Sequence, residues 1–329
     1  MNARAIPKGP RPLAASPVPA PTGSARHYLS VLDLRHDELD QILTLAARFK
    51  RERAAGVRSE QPLEGRHVAL LFEKPSLRTR TTFTIAVREL GGDVIELPAN
   101  TGLGGRESVE DVARNLERWL AGCVVRTYGQ QSLRRFANAT TWMHVINALT
   151  DEEHPCQVLA DMLTLHERFG DLAGRTLAFV GDGNNVATSL AHASAMLGLR
   201  LRVATPKRFE LPDGVLEGFA RSARLGATLE TMADPAEAVR GADVVYTDTW
   251  TSMGQEAQAA RRERLFRPYQ VNAALMAAAA PHAIFMHCLP AHRGAEVTDE
   301  VMDSPASVIF DQAENRLHTQ KALLATLIR

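Results

Sequence analysis

The amino-acid sequence predicts an α/β fold of two doubly wound parallel-sheet domains that are joined by helices. From residue 27 onward, short runs rich in Val, Ile, Leu and Ala alternate with amphipathic helical windows. Such near-continuous apolar runs are typical of parallel strands that helices cover on both faces. About ten such runs are too many for one comfortable sheet, and 329 residues suit two domains of ordinary size.

The strand and helix patterns follow one another along most of the chain. The predicted strands are His67–Phe72, Val94–Leu97, Cys123–Thr127, His144–Leu149, Thr176–Gly181, Leu201–Thr205, Thr228–Met232, Val244–Thr247, Ile284–His287 and Val308–Phe310. The helical windows between them include Val109–Leu120, Cys156–Phe169, Val186–Leu197 and Leu216–Leu225. A terminal helix is expected within residues 314–329, with its apolar pattern over Leu317–Ile328, and it is expected to return to the first domain.

Composition and element order predict the domain boundaries. Residues 1–26 are rich in Pro and Ala and cannot bury enough apolar surface to order themselves, so we expect a disordered tail. A cleavable leader is the alternative, but the prolines oppose the amphipathic helix that such leaders need. The first domain is expected over residues 27–149 together with the terminal helix, and the second over residues 150–313.

The charge balance and the cysteines exclude several classes of protein. The 38 Lys and Arg residues equal the 38 Asp and Glu residues, whereas nucleic acid or an anionic membrane selects a basic excess. The longest apolar stretch, residues 273–280, is far too short to span a membrane. Cys123, Cys156 and Cys288 form no CxxC pair, which favours a reducing compartment over a disulfide framework or a zinc site. We therefore expect a cytoplasmic enzyme that acts on small molecules.

Polar side chains follow the predicted strands of the first half, where ligands bind in open parallel sheets. After the first strand, Ser76 is a natural N-cap, and Leu77, Arg78 and Thr79 continue into a helix. The free amides of a helix start, with an arginine and hydroxyls on the same turn, predict a phosphate site. Arg126 ends the third strand at the same sheet edge, where an ordinary surface ion pair is the alternative.

His154 and Gln157 are three residues apart and therefore share one face of a helical turn. A neutral imidazole and an amide can contact the carbonyl oxygen and the amide group of a ligand. A purely structural histidine is the alternative.

The second half of the chain predicts a site for an amino acid. The segment Gly181–Asn185 begins like a dinucleotide fingerprint, but the third glycine is missing and the next strand ends without an acidic residue for a ribose. A nicotinamide-dependent dehydrogenase is therefore disfavoured, and Asn185 is expected to contact a carboxylate or an amine at a helix start. Asp248 ends a strand four residues before Ser252, and this pair suits the ammonium and carboxylate groups of one ligand.

Two further residues stand at the ends of predicted strands. Cys288 follows a buried strand, where an inert packing role is the alternative to a role in a ligand site. Arg316 lies where the last predicted strand is expected to become a helix.

Together these segments resemble the aspartate/ornithine carbamoyltransferase family over residues 28–329. Ser76–Arg80 is similar to the family's Ser-x-Arg-Thr-Arg turn, and His154–Gln157 to its His-Pro-x-Gln element. The branch that uses ornithine is indicated by Gly181–Asn185, by Asp248 with Ser252-Met253-Gly254, and by His287-Cys288-Leu289-Pro290. Aspartate-using relatives carry His-Pro-Leu-Pro in place of the last segment, and putrescine-using relatives lack the Ser-Met-Gly.

One position departs from the family pattern. Gly102 stands where the family often has Gln or His, in a loop that reaches a neighbouring subunit's site in the trimeric relatives. The resemblance therefore leaves this contact between subunits without its usual side chain.

The resemblance also implies a set of site residues and a reaction. Carbamoyl phosphate would be held by Ser76, Leu77, Arg78, Thr79, Arg126, His154, Gln157 and Arg316. L-Ornithine would be bound by Asn185, Asp248, Ser252, Met253, Cys288 and Leu289. The catalytic residues would be Cys288, Asp248, His154 and Arg126.

The implied products are L-citrulline and phosphate, formed by a homotrimer or a multiple of trimers without a metal, nucleotide or other cofactor. A non-catalytic module that binds amino acids or phosphate is the alternative, and it would need the turn at Ser76 but not Cys288.

Overall fold

The computed structural model describes residues 24–98, 103, 105–251, 254 and 256–328. These residues form two parallel β-sheets with helices interleaved between the strands, which confirms the predicted fold class. Among the helices of these residues, none combines the length and the apolar character needed to cross a bilayer.

The first sheet has four parallel strands in the order β2-β1-β3-β4. Its strands are β1 (His67–Phe72), β2 (Asp93–Glu96), β3 (Gly122–Arg126) and β4 (His144–Leu149). The helices of this half are α1 (His36–Ala54), α2 (Leu77–Glu89), α3 (Val109–Leu116) and α4 (Gln130–Asn138). Because all four strands run the same way, their carboxyl ends lie together at one edge.

Helix α5 (Pro155–Phe169) leads into a second sheet of five parallel strands in the order β7-β6-β5-β8-β9. Its strands are β5 (Thr176–Val180), β6 (Arg200–Ala204), β7 (Thr228–Met232), β8 (Val244–Thr247) and β9 (Ile284–His287). The remaining helices are α6 (Asn185–Leu197), α7 (Asp213–Ser222), α8 (Pro235–Val239), α9 (Ala259–Phe266), α10 (Ala273–Met276), α11 (Asp299–Met302) and α12 (Ile309–Leu327).

Nine of the ten predicted strands are present, with ends that differ from the prediction by at most one residue. The predicted strand Val308–Phe310 is wrong, because the chain makes a single bridge from Ser307 to Phe285 of β9 and then starts α12 at Ile309. Ile309 is buried whereas Phe310 is 71% exposed, so only one face of this apolar run is covered, as in a helix. The expected helix start at residue 314 is therefore wrong by five residues, and Arg316 lies inside α12.

One continuous apolar cluster joins the two sheets. Helix α12 packs against α1, α2 and α5, and α5 also packs against α6. Phe49 of α1, Phe83 of α2, Leu163 of α5 and Leu324 of α12 are fully buried in this cluster. The expected return of the terminal helix to the first half of the chain is thereby confirmed, and it carries residues of α12 to the edge of the first sheet.

The loop after β5 depends on a close approach that only a glycine allows. The amide of Gly183 donates to the carbonyl oxygen of Phe209 at 2.8 Å. A Cβ atom at Gly183 would lie 2.6 Å from that oxygen and 2.6 Å from the carbonyl carbon of Glu210. Both neighbours are backbone atoms, so they cannot rotate away as a side chain would.

We expect Gly183→Ala to lower the free energy of unfolding by about 1–3 kcal/mol, because overpacking forces the backbone at residues 209–210 to shift. Gly214→Ala is the matched control, since Gly214 lies in α7 and an added Cβ there meets nothing within 4 Å. That control should be neutral or stabilising by up to about 1 kcal/mol. Urea unfolding midpoints measure both changes, and equal midpoints would contradict the close approach at Gly183.

Candidate active site

A cavity of about 1240 Å³ lies where the carboxyl ends of the two sheets face each other. Its wall includes the start of α2, the ends of β3 and β4, the loop after β5, the ends of β8 and β9, and Arg316 of α12. Both halves of the chain therefore contribute side chains to one space.

The turn into α2 is built as an N-terminal helix cap. Ser76 is the N-cap residue, and its Oγ accepts a hydrogen bond from the Thr79 amide at 3.2 Å. Leu77 and Arg78 lie in the first turn, where backbone amides have no partner within the helix. Ser76, Leu77, Arg78 and Thr79 all line the cavity, so the structure brings the four predicted residues of this turn to one wall.

Three arginines meet beside this turn. Arg126 ends β3 and is buried, and Arg316 of α12 is buried and donates from Nη2 to Thr79 Oγ1 at 2.6 Å. Burial, with a smaller contribution from the positive charges of Arg316 and Arg78, lowers the pKa of Arg126 to about 10. In the part of the chain that the structure describes, none of these three guanidinium groups forms an ion pair with a carboxylate. A concentration of like charge without a counter-ion is typical of an anion site.

His154 stands at the N-cap position of α5 and lines the same cavity. Its amide donates to Ser189 Oγ at 3.0 Å, while its Nδ1 has no hydrogen-bond partner among the described residues. Burial lowers the pKa of His154 well below its ordinary value, and the charges of Arg316 and Arg126 act in the same direction. The imidazole is therefore neutral at pH 7 and offers one donor and one acceptor.

Gln157 does not reach the cavity wall in this structure. Its side chain is fully buried behind His154, and its Nε2 donates to Asp161 Oδ1 at 2.8 Å. Its Oε1 has no partner among the described residues.

The second half of the chain contributes an acidic pocket around Asp248. The buried Asp248 carboxylate accepts from Cys288 Sγ at 2.9 Å and from Asn184 Nδ2 at 2.7 Å. Burial, followed by the Asp248 charge, raises the pKa of the Cys288 thiol well above its ordinary value. Cys288 is therefore a protonated thiol that donates its hydrogen, and not a thiolate nucleophile.

Two other predicted ligand residues lie at this pocket. Asn185 lines the cavity, and its Nδ2 donates one hydrogen bond to the Thr150 carbonyl oxygen at 2.6 Å, which leaves its second N–H and its oxygen for a ligand. Leu289 also lines the cavity and has a φ of 58°, with its amide donating to His287 Nδ1 at 2.8 Å. Ser252, Met253 and Gly102 lie outside the described residues.

Sequence reasoning missed two basic residues of the cavity wall. Lys74 is buried, pairs with Asp151 and lies over the Tyr128 ring at 4.3 Å. Its position directly after β1 was a signal, since ligand residues follow strand ends. Arg262 is buried and pairs with Asp182, but it sits in α9, away from any strand end, so no pattern pointed to it.

The ligand atoms of Asp248, His287 and Cys288 lie within 4.8 Å of one another, which is a spacing that a metal ion could use. In this structure the Cys288 thiol donates to Asp248, and His287 Nδ1 accepts the Leu289 amide. Asp248 and Cys288 therefore already pair with each other, and the His287 ring is held by the Leu289 backbone.

In a comparison with known proteins, the two halves of the chain match the two domains of one family. Residues 26–167 match the family model described as the carbamoyl-P binding domain of aspartate/ornithine carbamoyltransferase, and residues 173–327 match its Asp/Orn binding domain. The ornithine carbamoyltransferase of Symbiobacterium thermophilum is 49% identical over 93% of this chain and 99% of its own length. That of Gloeobacter violaceus is 52% identical over 91% of this chain and 95% of its own length.

Solved structures of ornithine carbamoyltransferases have the same fold as this chain. The ornithine carbamoyltransferase from Pyrococcus furiosus superposes with a TM-score of 0.89 at 45% identity, covering 93% of this chain and 97% of that one. The enzyme from Gloeobacter violaceus gives a TM-score of 0.83 at 47% identity, covering 94% of this chain and all of that one.

Fold and cavity together define an α/β protein of two parallel sheets that holds an anion site and an acidic pocket in one cleft. The chain belongs to the aspartate/ornithine carbamoyltransferase family.

We expect the His154 imidazole to remain neutral as the pH falls from 8 through 6.5, because burial holds its pKa in the folded chain well below the ordinary 6.5. The unfolded chain takes up this proton near its ordinary pKa, so His154 lowers stability as the pH falls below that value. NMR of ¹³C-labelled histidine measures the charge state, with the signal assigned by its loss in His154→Asn. A titration of that signal near pH 6.5 would contradict the structure.

Proposed function

We propose that this chain transfers the carbamoyl group of carbamoyl phosphate to the side-chain amine of L-ornithine, giving L-citrulline and phosphate. The observation that carries the proposal is the pairing within one cavity of three arginines without a carboxylate partner and a buried carboxylate, Asp248, on the facing wall. The first group suits a phosphate and the second suits an amine. The ornithine carbamoyltransferase relatives, at about half identity over nearly the whole chain, support the same reaction.

The phosphate of carbamoyl phosphate is proposed to bind at the turn into α2. The first-turn amides at Leu77 and Arg78 and the hydroxyl of Ser76 line this wall, and the helix N-terminus favours an anion. Arg126 and Arg316 add two fixed positive charges. These groups stabilise the phosphate as it leaves, because its negative charge increases when the bond to the carbamoyl carbon breaks.

The carbamoyl oxygen gains negative charge when the amine attacks, and three groups are placed to donate to it. Thr79 accepts the hydrogen bond from Arg316, so its own hydroxyl hydrogen remains for a ligand. Arg126 has an Nε without a partner, and the neutral His154 has one ring N–H. Donors of this kind act like an oxyanion hole in a site from which water is excluded. Gln157 is proposed to contact the carbamoyl amide group from behind His154.

The side-chain amine of ornithine must lose a proton before it attacks, since an alkylammonium in water is almost wholly protonated at pH 7. The Cys288 thiol is proposed to orient this amine, with Leu289 beside it, and Asp248 to accept its proton. The bond from the amine nitrogen to the carbamoyl carbon forms as the bond from that carbon to the phosphate oxygen breaks, and the departing phosphate can take up the proton. Burial in a cleft that also holds arginines lowers the pKa of the amine. Asn185, Ser252 and Met253 are proposed to bind the amino-acid end of ornithine.

The proposal assigns the two substrates to the two halves of the chain. Residues 27–149 with the terminal helix would hold carbamoyl phosphate, with His154 and Gln157 contributing from the start of α5. The second predicted domain, residues 150–313, would hold ornithine, in keeping with the descriptions of the matched family models. We further propose a homotrimer or a multiple of trimers that works in the cytoplasm in arginine biosynthesis. Light scattering reports the number of subunits, and a monomer would contradict the trimer.

A substrate panel tests the reaction. Ornithine, N-acetylornithine, putrescine and aspartate are each supplied with carbamoyl phosphate, and the ureido product is measured colorimetrically. We expect product from ornithine alone, because the pocket pairs an acidic residue with groups for a carboxylate. Product from aspartate or putrescine, and none from ornithine, would contradict the proposed substrate.

Arg78→Ala tests the anion site. We expect the KM for carbamoyl phosphate to rise about 10- to 100-fold, the loss expected for one charged hydrogen bond, without loss of folded protein. Arg80→Ala is the matched control, because Arg80 belongs to the same turn of sequence but pairs with Glu96 and lies over the Phe72 ring, away from the cavity. The KM of the Arg80→Ala variant for carbamoyl phosphate should stay within about threefold of the wild-type value. Equal effects of the two substitutions would argue against a phosphate contact at Arg78.

A further inference from the structure

A buried carboxylate lies one helical turn after Gln157. Asp161 of α5 has no solvent exposure, and it lies outside the cavity wall. Burial raises the pKa of Asp161 to about 7, even though its hydrogen bonds oppose this change. A carboxylate in such a place is costly unless it performs a task that an apolar side chain cannot.

All the hydrogen bonds that Asp161 accepts come from neutral groups. Its Oδ1 accepts from Gln157 Nε2 at 2.8 Å and from Gln312 Nε2 at 2.8 Å. Its Oδ2 accepts from the Tyr246 hydroxyl at 3.1 Å. Among the described residues, Asp161 forms no ion pair, and Arg316 is the positive charge that acts on it.

This arrangement fixes which end of the Gln157 amide is free. A carboxylate oxygen that accepts two hydrogen bonds needs an amide nitrogen opposite it, so the Nε2 of Gln157 must face Asp161. The Oε1 of Gln157 is then the other end, and it is buried with no partner in the part of the chain that the structure describes. Because buried polar groups normally have a hydrogen-bond partner, this carbonyl oxygen is suited to accept a hydrogen bond from an N–H group of a ligand. The amide group of a carbamoyl ligand supplies such an N–H, whereas inorganic phosphate does not.

The same carboxylate is linked to the end of β9. Gln312 donates to Asp161 from Nε2, and its Oε1 accepts from the His287 amide at 3.0 Å. His287 directly precedes Cys288, whose thiol contacts Asp248. Asp161 and Gln312 therefore link Gln157 to the end of β9, which Cys288 directly follows.

We propose that Asp161 is a positioning residue that orients the Gln157 amide, so that its oxygen recognises the N–H of the carbamoyl group. This inference rests on the proposed function and adds to it a residue that selects for the amide half of the ligand. Asp161 touches no substrate; it acts through Gln157.

The test compares two ligands that share a phosphoryl group but differ in the amide. Phosphonoacetamide carries a carbamoyl-type amide, and inorganic phosphate carries none. For Asp161→Leu, which removes both carboxylate oxygens from a side chain of similar shape, we expect phosphonoacetamide to bind about tenfold or more weakly, the loss expected for one buried hydrogen bond. Phosphate should bind within about twofold of wild type, because the turn at Ser76 does not contact Asp161. Isothermal titration calorimetry measures both dissociation constants on the full chain.

Tyr246→Phe is the matched control. It removes the donor to Oδ2 of Asp161 and the hydroxyl oxygen that accepts from Gln312 Nε2 at 3.0 Å, but it leaves both hydrogen bonds to Oδ1, so the Gln157 amide keeps its orientation. We expect the ratio of the two dissociation constants to stay at the wild-type value in this variant. A role of Asp161 in stability alone would weaken the binding of both ligands in parallel for Asp161→Leu.

A double-mutant cycle shows whether Asp161 acts through Gln157. In a Gln157→Leu background, Asp161→Leu should not change the ratio of the two dissociation constants further, because the group that Asp161 orients is absent. Where Asp161→Leu yields no folded protein, Asp161→Glu takes its place, since it keeps a carboxylate but moves it by one methylene. A wild-type ligand ratio in the folded variant, while the unaltered chain still forms citrulline, overturns the inference; failure to form citrulline overturns the proposed function instead.

Discussion

The gathering of Arg78, Arg126 and Arg316 at one sheet edge is the constraint on which the rest of the site depends. Burial lowers the pKa of Arg126 and of Arg316, and the charges of the neighbouring arginines act in the same direction, so the free site carries unfavourable repulsion between like charges. An anion relieves that repulsion, and a doubly charged phosphate does so well. Burial, with the same charges acting in the same direction, keeps His154 neutral, which leaves it able to donate and to accept. Release of the repulsion between the guanidinium groups thus favours the binding of anions in this cleft.

The fold was largely predictable because parallel strands buried on both faces carry a strong apolar signal. β1, β4, β7, β8 and β9 begin and end where the sequence predicts. The strand predicted at Val308–Phe310 failed for a physical reason. Three apolar residues in a row look alike in a buried strand and at a helix start, and only the exposure of Phe310 separates the two.

The site was predictable where its residues follow strand ends or helix caps, as Ser76, Arg126, Asp248 and Cys288 do. Distances across the fold were not predictable in the same way. Nothing in the pattern around residue 161 shows that Asp161 takes the Nε2 of Gln157, because that contact also depends on Gln312, 151 residues away. Arg262 was missed for the same reason: its partner Asp182 is 80 residues earlier in the chain.

Helix α12 has a consequence for when the cleft comes into being. It contributes Arg316 to the anion side and Gln312 to the junction behind Cys288, while its body packs on α1, α2 and α5. During synthesis, both sheets can emerge from the ribosome before this helix does. A nascent chain without α12 lacks the Arg316 guanidinium and the hydrogen bond from the His287 amide to Gln312. The cleft is therefore complete only after α12 has docked on the two sheets.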